Sequence, residues 1–352
     1  SPLNAQSPGR WVAETEWPSR RIRERSWSLG QGSLIDDPEL QSDVALTIQS
    51  PLSVGLFAGK WCSYAEETDL PWDQRQEDGG ALLFDTEPLS EDIEILGAPV
   101  VELEISADQP VAQAAVRLCD VAPNDRSARV SFGILNLCHR DSHEQPQPLV
   151  PGEKYLVVIT LNHIAQRFPK GHRIRLAISS SYWPLAWPSP RPARLTIHSK
   201  RSRLTLPARE LCTEDSDLRD LGSPQMAPAP SASLLAPAHR EWTVHQNLGS
   251  NKVELRVINN EPRIKLHDQE LEVGREVQEI YSYQNNDYAT VRGFVEQVRH
   301  FKRSDWDVQT ITRTSMASTE QFFQIRATLD AYDGDARVFA RSWDESIPRK
   351  LA

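Results

Sequence analysis

The sequence predicts an all-β protein of sandwich or barrel type, and three observations carry that prediction. Apolar and polar residues alternate with period two through many short runs, which sends one row of side chains to a core and the other to water. Turn chemistry separates the runs: Pro123-Asn124-Asp125, Val150-Pro151-Gly152-Glu153 and Pro169-Lys170-Gly171-His172 each combine residues that preset or permit chain reversal. The composition agrees, with 25 prolines and 10 tryptophans against 2 methionines. Proline breaks helix interiors but is accepted at strand ends and in turns.

In chain order, residues 99–106 place Val101, Leu103 and Ile105 on one face and Glu102 and Glu104 on the other. Residues 114–121, 130–138, 155–161 and 173–179 repeat that pattern, and 195–198 and 203–206 predict two shorter strands. One short helix is expected at 161–168, where Ile164, Ala165 and Phe168 recur at helical spacing. Residues 223–238 are rich in Pro, Ala and Ser, have little to bury, and predict an extended, mobile linker. Beyond it the alternation resumes over 242–248, 252–259, 276–283, 290–301, 306–315, 321–331 and 337–343. Asp333-Gly334-Asp335 is a strong hairpin signal between the last two runs. These strands predict a second antiparallel β domain, a meander curling into a partial barrel. No repeat at solenoid periods is visible.

A chain of 352 residues is long enough for two domains with separate cores. Its net charge of −10 argues against a general nucleic-acid binder, because phosphate binding wants a basic surface. No window resembles a membrane span, and the polar first residues have no apolar signal core. Cys62, Cys119, Cys138 and Cys212 are widely spaced without a CxxC pair, which favours free thiols and a cytoplasmic location.

Catalytic signals are weak. There is no G-x-S-x-G elbow, and Gly30-Gln31-Gly32-Ser33 has the wrong spacing to expose a nucleophile on a strained strand-to-helix turn. Ser179-Ser180-Ser181 supplies hydroxyls at a strand end with no evident base. Cys138-His139-Arg140-Asp141-Ser142-His143-Glu144 crowds metal-ligating side chains together but lacks the second ligand pair of a structural zinc site. A polar loop satisfying its own backbone is the stronger reading. Asp120, Asp125 and Asp141 lie near strand ends without a compact calcium loop, so turn capping is their default role. No HExxH is present, and no cofactor, metal site or catalytic residue is expected.

The aromatic run Tyr182-Trp183-Pro184-Leu185-Ala186-Trp187-Pro188, with Trp11, Trp61 and Trp72, can stack on a ligand or bury against a core or neighbouring domain. Packing is the stronger reading. In the second domain, Asp305-Trp306 and residues 343–349 mix aromatics with charge but form no catalytic constellation.

A family resemblance now enters. Trp72-Asp73-Gln74-Arg75 with Asp78 resembles the D-Q-R-x-x-D block that opens the jelly-roll domain of CocE/NonD-type serine hydrolases, the X-Pro dipeptidyl-peptidase group. Leu83-Phe84-Asp85-Thr86-Glu87-Pro88-Leu89 and Ile95-Leu96-Gly97-Ala98-Pro99 look like the next block. Val116-Arg117-Leu118-Cys119-Asp120-Val121-Ala122-Pro123, Leu149-Val150-Pro151-Gly152-Glu153 and Gly171-His172-Arg173-Ile174-Arg175-Leu176 with Ile178-Ser179-Ser180 follow in the family's order. Gly9-Arg10-Trp11 and Glu16-Trp17-Pro18 resemble the segment leaving the hydrolase domain. Arg303-Ser304-Asp305-Trp306, Leu329-Asp330-Ala331-Tyr332 and Ile347-Pro348-Arg349 are similar to an extension found in some members.

The resemblance implies a lead-in at 1–50, a galactose-binding-like jelly roll at 51–222, the linker at 223–238 and the antiparallel β domain at 239–352. It places the family's Ser-Asp-His triad on an α/β-hydrolase domain that no position here matches. The implied role is a non-catalytic module, inactive alone, that packs on the hydrolase domain, stabilises it and shapes substrate access. The parent chemistry would be acyl ester, amide or X-Pro peptide hydrolysis. Trp72, Tyr182, Trp183 and Trp187 are the candidate packing anchors, and an isolated module would tend to self-associate. The rival reading is a free-standing carbohydrate-binding module using the same rings.

Overall fold

The alternating rows of the first half meet across two packed antiparallel sheets. The computed structural model describes residues 9–37, 43–62, 69–212, 215 and 217–352. The chain divides into two units, Ser1–Asp220 with Leu351–Ala352, and Leu221–Lys350.

In the first unit, β1 (Ile22–Leu29), β2 (Leu34–Ile35) and β3 (Ala45–Ile48) precede a single turn of α-helix, α1 (Arg75–Asp78). Then come β4 (Leu82–Asp85), β5 (Ile93–Gly97), β6 (Val100–Ala107), β7 (Gln113–Val121) and β8 (Ser127–Asn136). β9 (Tyr155–Thr160), β10 (Ile164–Phe168), β11 (Arg173–Ser179) and β12 (Leu195–Arg209) complete it. One sheet runs β10-β5-β12-β1-β2, with β3 and β6 also on β12 and β9 on β6. The other is β4-β11-β7-β8.

Val101, Leu103, Ile105, Leu204 and Leu206 of the first sheet share one buried cluster with Phe84, Val116, Leu118, Ile174 and Leu176 of the second. That shared cluster makes the unit a β-sandwich. The glutamates of β6 point away from it and meet cations on neighbouring strands, Glu102 with Arg203 and Glu104 with Arg201 at 3.5 Å.

Two local expectations need correction. Residues 164–168 form strand β10 rather than a helix: Ile164 to Phe168 pair antiparallel with Gly97 to Ile93. Ile164, Gln166 and Phe168 also satisfy period two, and the open edge of β5 supplies the hydrogen bonds that decide between the patterns. The two short strands at 195–198 and 203–206 are one strand, β12, with a register irregularity between His198 and Arg203. There Ser199 Oγ accepts from Val44 N at 2.9 Å, and Ser202 Oγ donates to the His198 carbonyl at 2.7 Å. Serine hydroxyls thus take over ladder bonds where the alternation lapses.

In the second unit, β13 (Ala232–Ala236) lies within the Pro/Ala/Ser stretch and pairs with β16 (Arg263–Leu266). β14 (His239–Asn247) and β15 (Lys252–Asn260) form a hairpin. β17 (Leu271–Gln284), β18 (Asp287–Arg303), β19 (Trp306–Ser318), β20 (Phe322–Asp333) and β21 (Ala336–Pro348) follow as a meander. β15 and β16 both pair along β17, and among the described residues β21 pairs with β20 alone, so the ladder is open. Asn285 and Asn286 both adopt φ 55°, the double left-handed geometry of a tight hairpin turn. Val253, Leu255, Val257, Val277, Tyr283, Tyr288 and Val291 are its buried hydrophobic residues.

No helix among the described residues is long and apolar enough to cross a membrane. The four cysteines are free thiols.

Candidate functional site

On β11, Ile174 and Leu176 face the sandwich core, so period two turns Arg173 and Arg175 to the opposite face of the sheet. Arg117 on β7 lies on that same outer face, opposite Ala177 in the ladder. The segment at 50–58 and α1 supply its cover. Val54 and Ala58 pack with Ala115, Phe132 and Tyr182 in a second buried cluster.

The D-Q-R-x-x-D block closes over this face as a network of buried charges. Arg117 is wholly buried and pairs with Asp78 at 3.1 Å and Glu77 at 3.7 Å. Arg117 Nη1 donates to Gln74 Oε1 at 3.1 Å. Gln74 Nε2 in turn donates to the carbonyls of Trp72 at 2.7 Å and Phe57 at 3.2 Å. Glu77 Oε1 accepts from the backbone of Gly55 at 3.0 Å and Phe57 at 2.7 Å. Arg175 grips Asp85 through two bonds of 2.7 Å and reaches Asp78 at 2.8 Å. Burial pushes the Glu77 carboxyl up, opposed by the Arg117 charge and the backbone donors.

Gly55 is where this cover touches the sandwich. It sits at φ +116°, and a Cβ there would lie 2.3 Å from the Trp183 carbonyl oxygen. Only glycine tolerates both conditions.

The candidate aromatic anchors separate into two groups. Tyr182 and Trp183 are wholly buried within the unit, so their rings serve its own core. Tyr182 Oη accepts from Arg129 Nη1, and burial pushes its phenol up to about 12. Trp187 is half-buried. Trp72 is 49% and Trp61 57% exposed. These two lie on paired segments: Trp72 N donates to the Phe57 carbonyl at 3.0 Å, and Lys60 N to the Asp69 carbonyl at 2.9 Å. Trp61 stands edge-on to Phe132 with ring centres 5.2 Å apart, and the Arg129 guanidinium covers Phe132 at 4.3 Å. The charge network was not foreseen; its sequence signal was an arginine, Arg117, set between the apolar Ala114-Ala115-Val116 and Leu118-Cys119 of β7.

Among the other chemical candidates, Ser181 Oγ and His139 Nδ1 are buried with no hydrogen-bond partner among the described residues, and several of the rest are engaged. Ser179 Oγ donates to the Ser181 carbonyl at 3.0 Å, and Ser180 Oγ accepts from Ser50 N at 2.8 Å. His172 Nδ1 lies 2.7 Å from Asp120, and His198 Nε2 lies 3.2 Å from Ser106 Oγ, on separate pairs. Among the described residues no serine, histidine and carboxylate form a connected chain. The rings of His139 and His143 stand 5.4 Å apart, and no group of three or more metal-binding side chains occurs among the described residues. Asp125 pairs with Arg173, and Asp141 with Arg140 at 3.3 Å.

A family model described as the X-Pro dipeptidyl-peptidase C-terminal non-catalytic domain matches residues 3–219. The chain belongs to that family. Cocaine esterase of Rhodococcus sp. (strain MB1 Bresler) is 30% identical over 186 residues, 49% of this chain and 32% of that protein. A Rhodopirellula baltica protein named as an Xaa-Pro dipeptidyl-peptidase is 27% identical over 157 residues, 43% of this chain and 24% of that protein. This member of the C-terminal non-catalytic family therefore spans about a third or less of these relatives. The crystal structure of an aminopeptidase from a Thaumarchaeota archaeon superposes with a TM-score of 0.51 at 19% identity, over 59% of this chain and 40% of that one. That is a likeness of fold.

Proposed function

We propose that the first unit docks on an α/β-hydrolase domain through the surface carrying Trp72 and Trp61, stabilising that domain and shaping access to its active site. The observation that carries this reading is the clamp beneath Trp72. Its carbonyl is held by Gln74, which is held by the buried Arg117, while half of the Trp72 side chain stays exposed. An aromatic ring presented from an immobilised backbone loses little freedom on docking, which is what an interface anchor needs. The half-buried Trp187 is a further anchor. The names of the relatives support a partner that cleaves acyl esters or Xaa-Pro peptides.

The carbohydrate-binding alternative loses two of its rings, because Tyr182 and Trp183 are wholly buried. The docking reading is tested by titrating this chain against separately produced α/β-hydrolase domains from cocaine-esterase-like and X-Pro-peptidase-like relatives. A complex weakened about 30-fold by Trp72→Ala, the loss of an anchor contributing about 2 kcal/mol, supports it. Binding indifferent to that change, or no binding to any domain of the family, contradicts it.

A further inference from the structure

The last strand of the second unit is an edge. β21 pairs with β20 on one side, and every residue along it except Trp343 is exposed. Phe339 at 49%, Ile347 at 47% and Val338 at 63% exposure are large apolar side chains on that edge. Natural sheets usually blunt such edges, because a free row of backbone donors and acceptors invites another strand.

The order of side chains on one face of β21 is a chemical palindrome. Phe339, Arg341, Trp343, Glu345 and Ile347 run apolar, basic, aromatic, acidic, apolar. They lie opposite Ala331, Leu329, Ala327, Ile325 and Phe323 of β20, so they extend an apolar stripe of the sheet. Arg341 stacks on Trp343 at 4.9 Å, and among the described residues neither Arg341 nor Glu345 has an ion-pair partner.

We infer that β21 pairs antiparallel with β21 of a second copy of this chain, about a two-fold axis through Trp343. In that register Trp343 faces Trp343, Arg341 faces Glu345 twice, and Phe339 faces Ile347 twice. Directly opposed residues of an antiparallel pair share a face with their Cβ atoms about 5 Å apart, so each ion pair and apolar pair closes. The other face sets Ala340 against Ser346 and Ser342 against Asp344, and between residues 338 and 348 no like charges are opposed. A slip of two residues in either direction puts Arg341 opposite Trp343 or Ile347 and loses both ion pairs. The palindrome therefore selects one register and one partner, and the interface is isologous as a two-fold requires.

The test is sedimentation velocity of the whole chain over a concentration series, with charge-reversal variants. Arg341→Glu and Glu345→Arg each oppose like charges twice and weaken the dimer at least tenfold; the double variant Arg341→Glu/Glu345→Arg restores it. In a Cys62→Ser background, Trp343→Cys cross-links to itself under mild oxidation. A chain monomeric at every concentration overturns the inference, as does a dimer that the single reversals leave unchanged. The latter result assigns association to another surface, and the hydrolase-docking reading stands or falls separately, since its variant is Trp72→Ala.

Discussion

Arg117 and Gln74 meet at 3.1 Å inside the first unit, and through that contact a buried charge on β7 fixes the backbone of an exposed tryptophan two residues before the glutamine. The arginine is not a surface ion pair drawn inward. Its partners Glu77 and Asp78 are buried with it, so the three groups offset one another's loss of hydration.

Removing one partner strands the rest. Arg117→Met leaves Glu77 buried without its counter-charge and costs about 3–5 kcal/mol. Glu77→Gln in the same chain recovers part of that loss, because it removes the stranded charge while keeping the shape. Urea denaturation of the four species gives the coupling directly; additive losses would show that the cluster does not act as a unit.

A second network sets the acid limit. Arg209 donates to both oxygens of Asp215, at 2.8 and 2.7 Å, and to Glu14 at 2.6 Å. The Arg209 bonds hold the Asp215 carboxyl well below its usual range. Burial raises Glu14, but bonds from Ser19, Arg209 and Arg21 outweigh it and hold Glu14 low as well. A carboxyl with a depressed folded pKa stabilises fully above its unfolded value, and the stabilisation is lost as pH falls through the folded value. Stability should therefore decline below about pH 4. Asp215→Asn should lower the urea midpoint at pH 7 and make its fall towards pH 2 shallower; an unchanged acid profile would remove the network from the account.

Gly55→Ala tests the contact between the 50–58 cover and the sandwich. The new Cβ would lie 2.3 Å from the Trp183 carbonyl at a φ of +116°, so the loss should exceed about 2 kcal/mol. Gly152→Ala is the control, with φ +84° and open space around it, and should cost about 1 kcal/mol. Thermal melts of both variants make the comparison; equal losses would mean that backbone strain alone, not the close approach, decides at Gly55.

Fluorophosphonate labelling addresses chemistry. Ser106, Ser179, Ser180 and Ser181 are all buried, so none of these four serines should label and none should turn over p-nitrophenyl acetate. Stoichiometric labelling of one serine, with turnover lost on its replacement, would oblige a search for a nucleophile within this chain.

Much of the fold was legible because period two survives wherever one sheet face is buried. Val101, Leu103 and Ile105 stand in the core as the pattern says, with Glu102 and Glu104 outward. The pattern fails where bonding is supplied from elsewhere. Residues 164–168 carry two compatible periods, and only the partner strand β5 selects one. Ser199 and Ser202 interrupt the alternation of β12 while their hydroxyls carry its ladder. The site was legible as a motif but not as a mechanism. Trp72 and Gln74 stand out in the sequence; that the glutamine clamps the tryptophan's carbonyl depends on Arg117, 43 residues further on. Tyr182 and Trp183 look like surface anchors in sequence because exposure depends on the 50–58 segment that covers them, and no local pattern records that cover.

The most direct test of the docking claim is amide hydrogen exchange of this chain with and without a family α/β-hydrolase domain that binds it. The account predicts added protection at residues 57–61 and 72–75, lost in Trp72→Ala. Protection confined to other parts of the chain, with 57–61 and 72–75 exchanging as in the free protein, would contradict it.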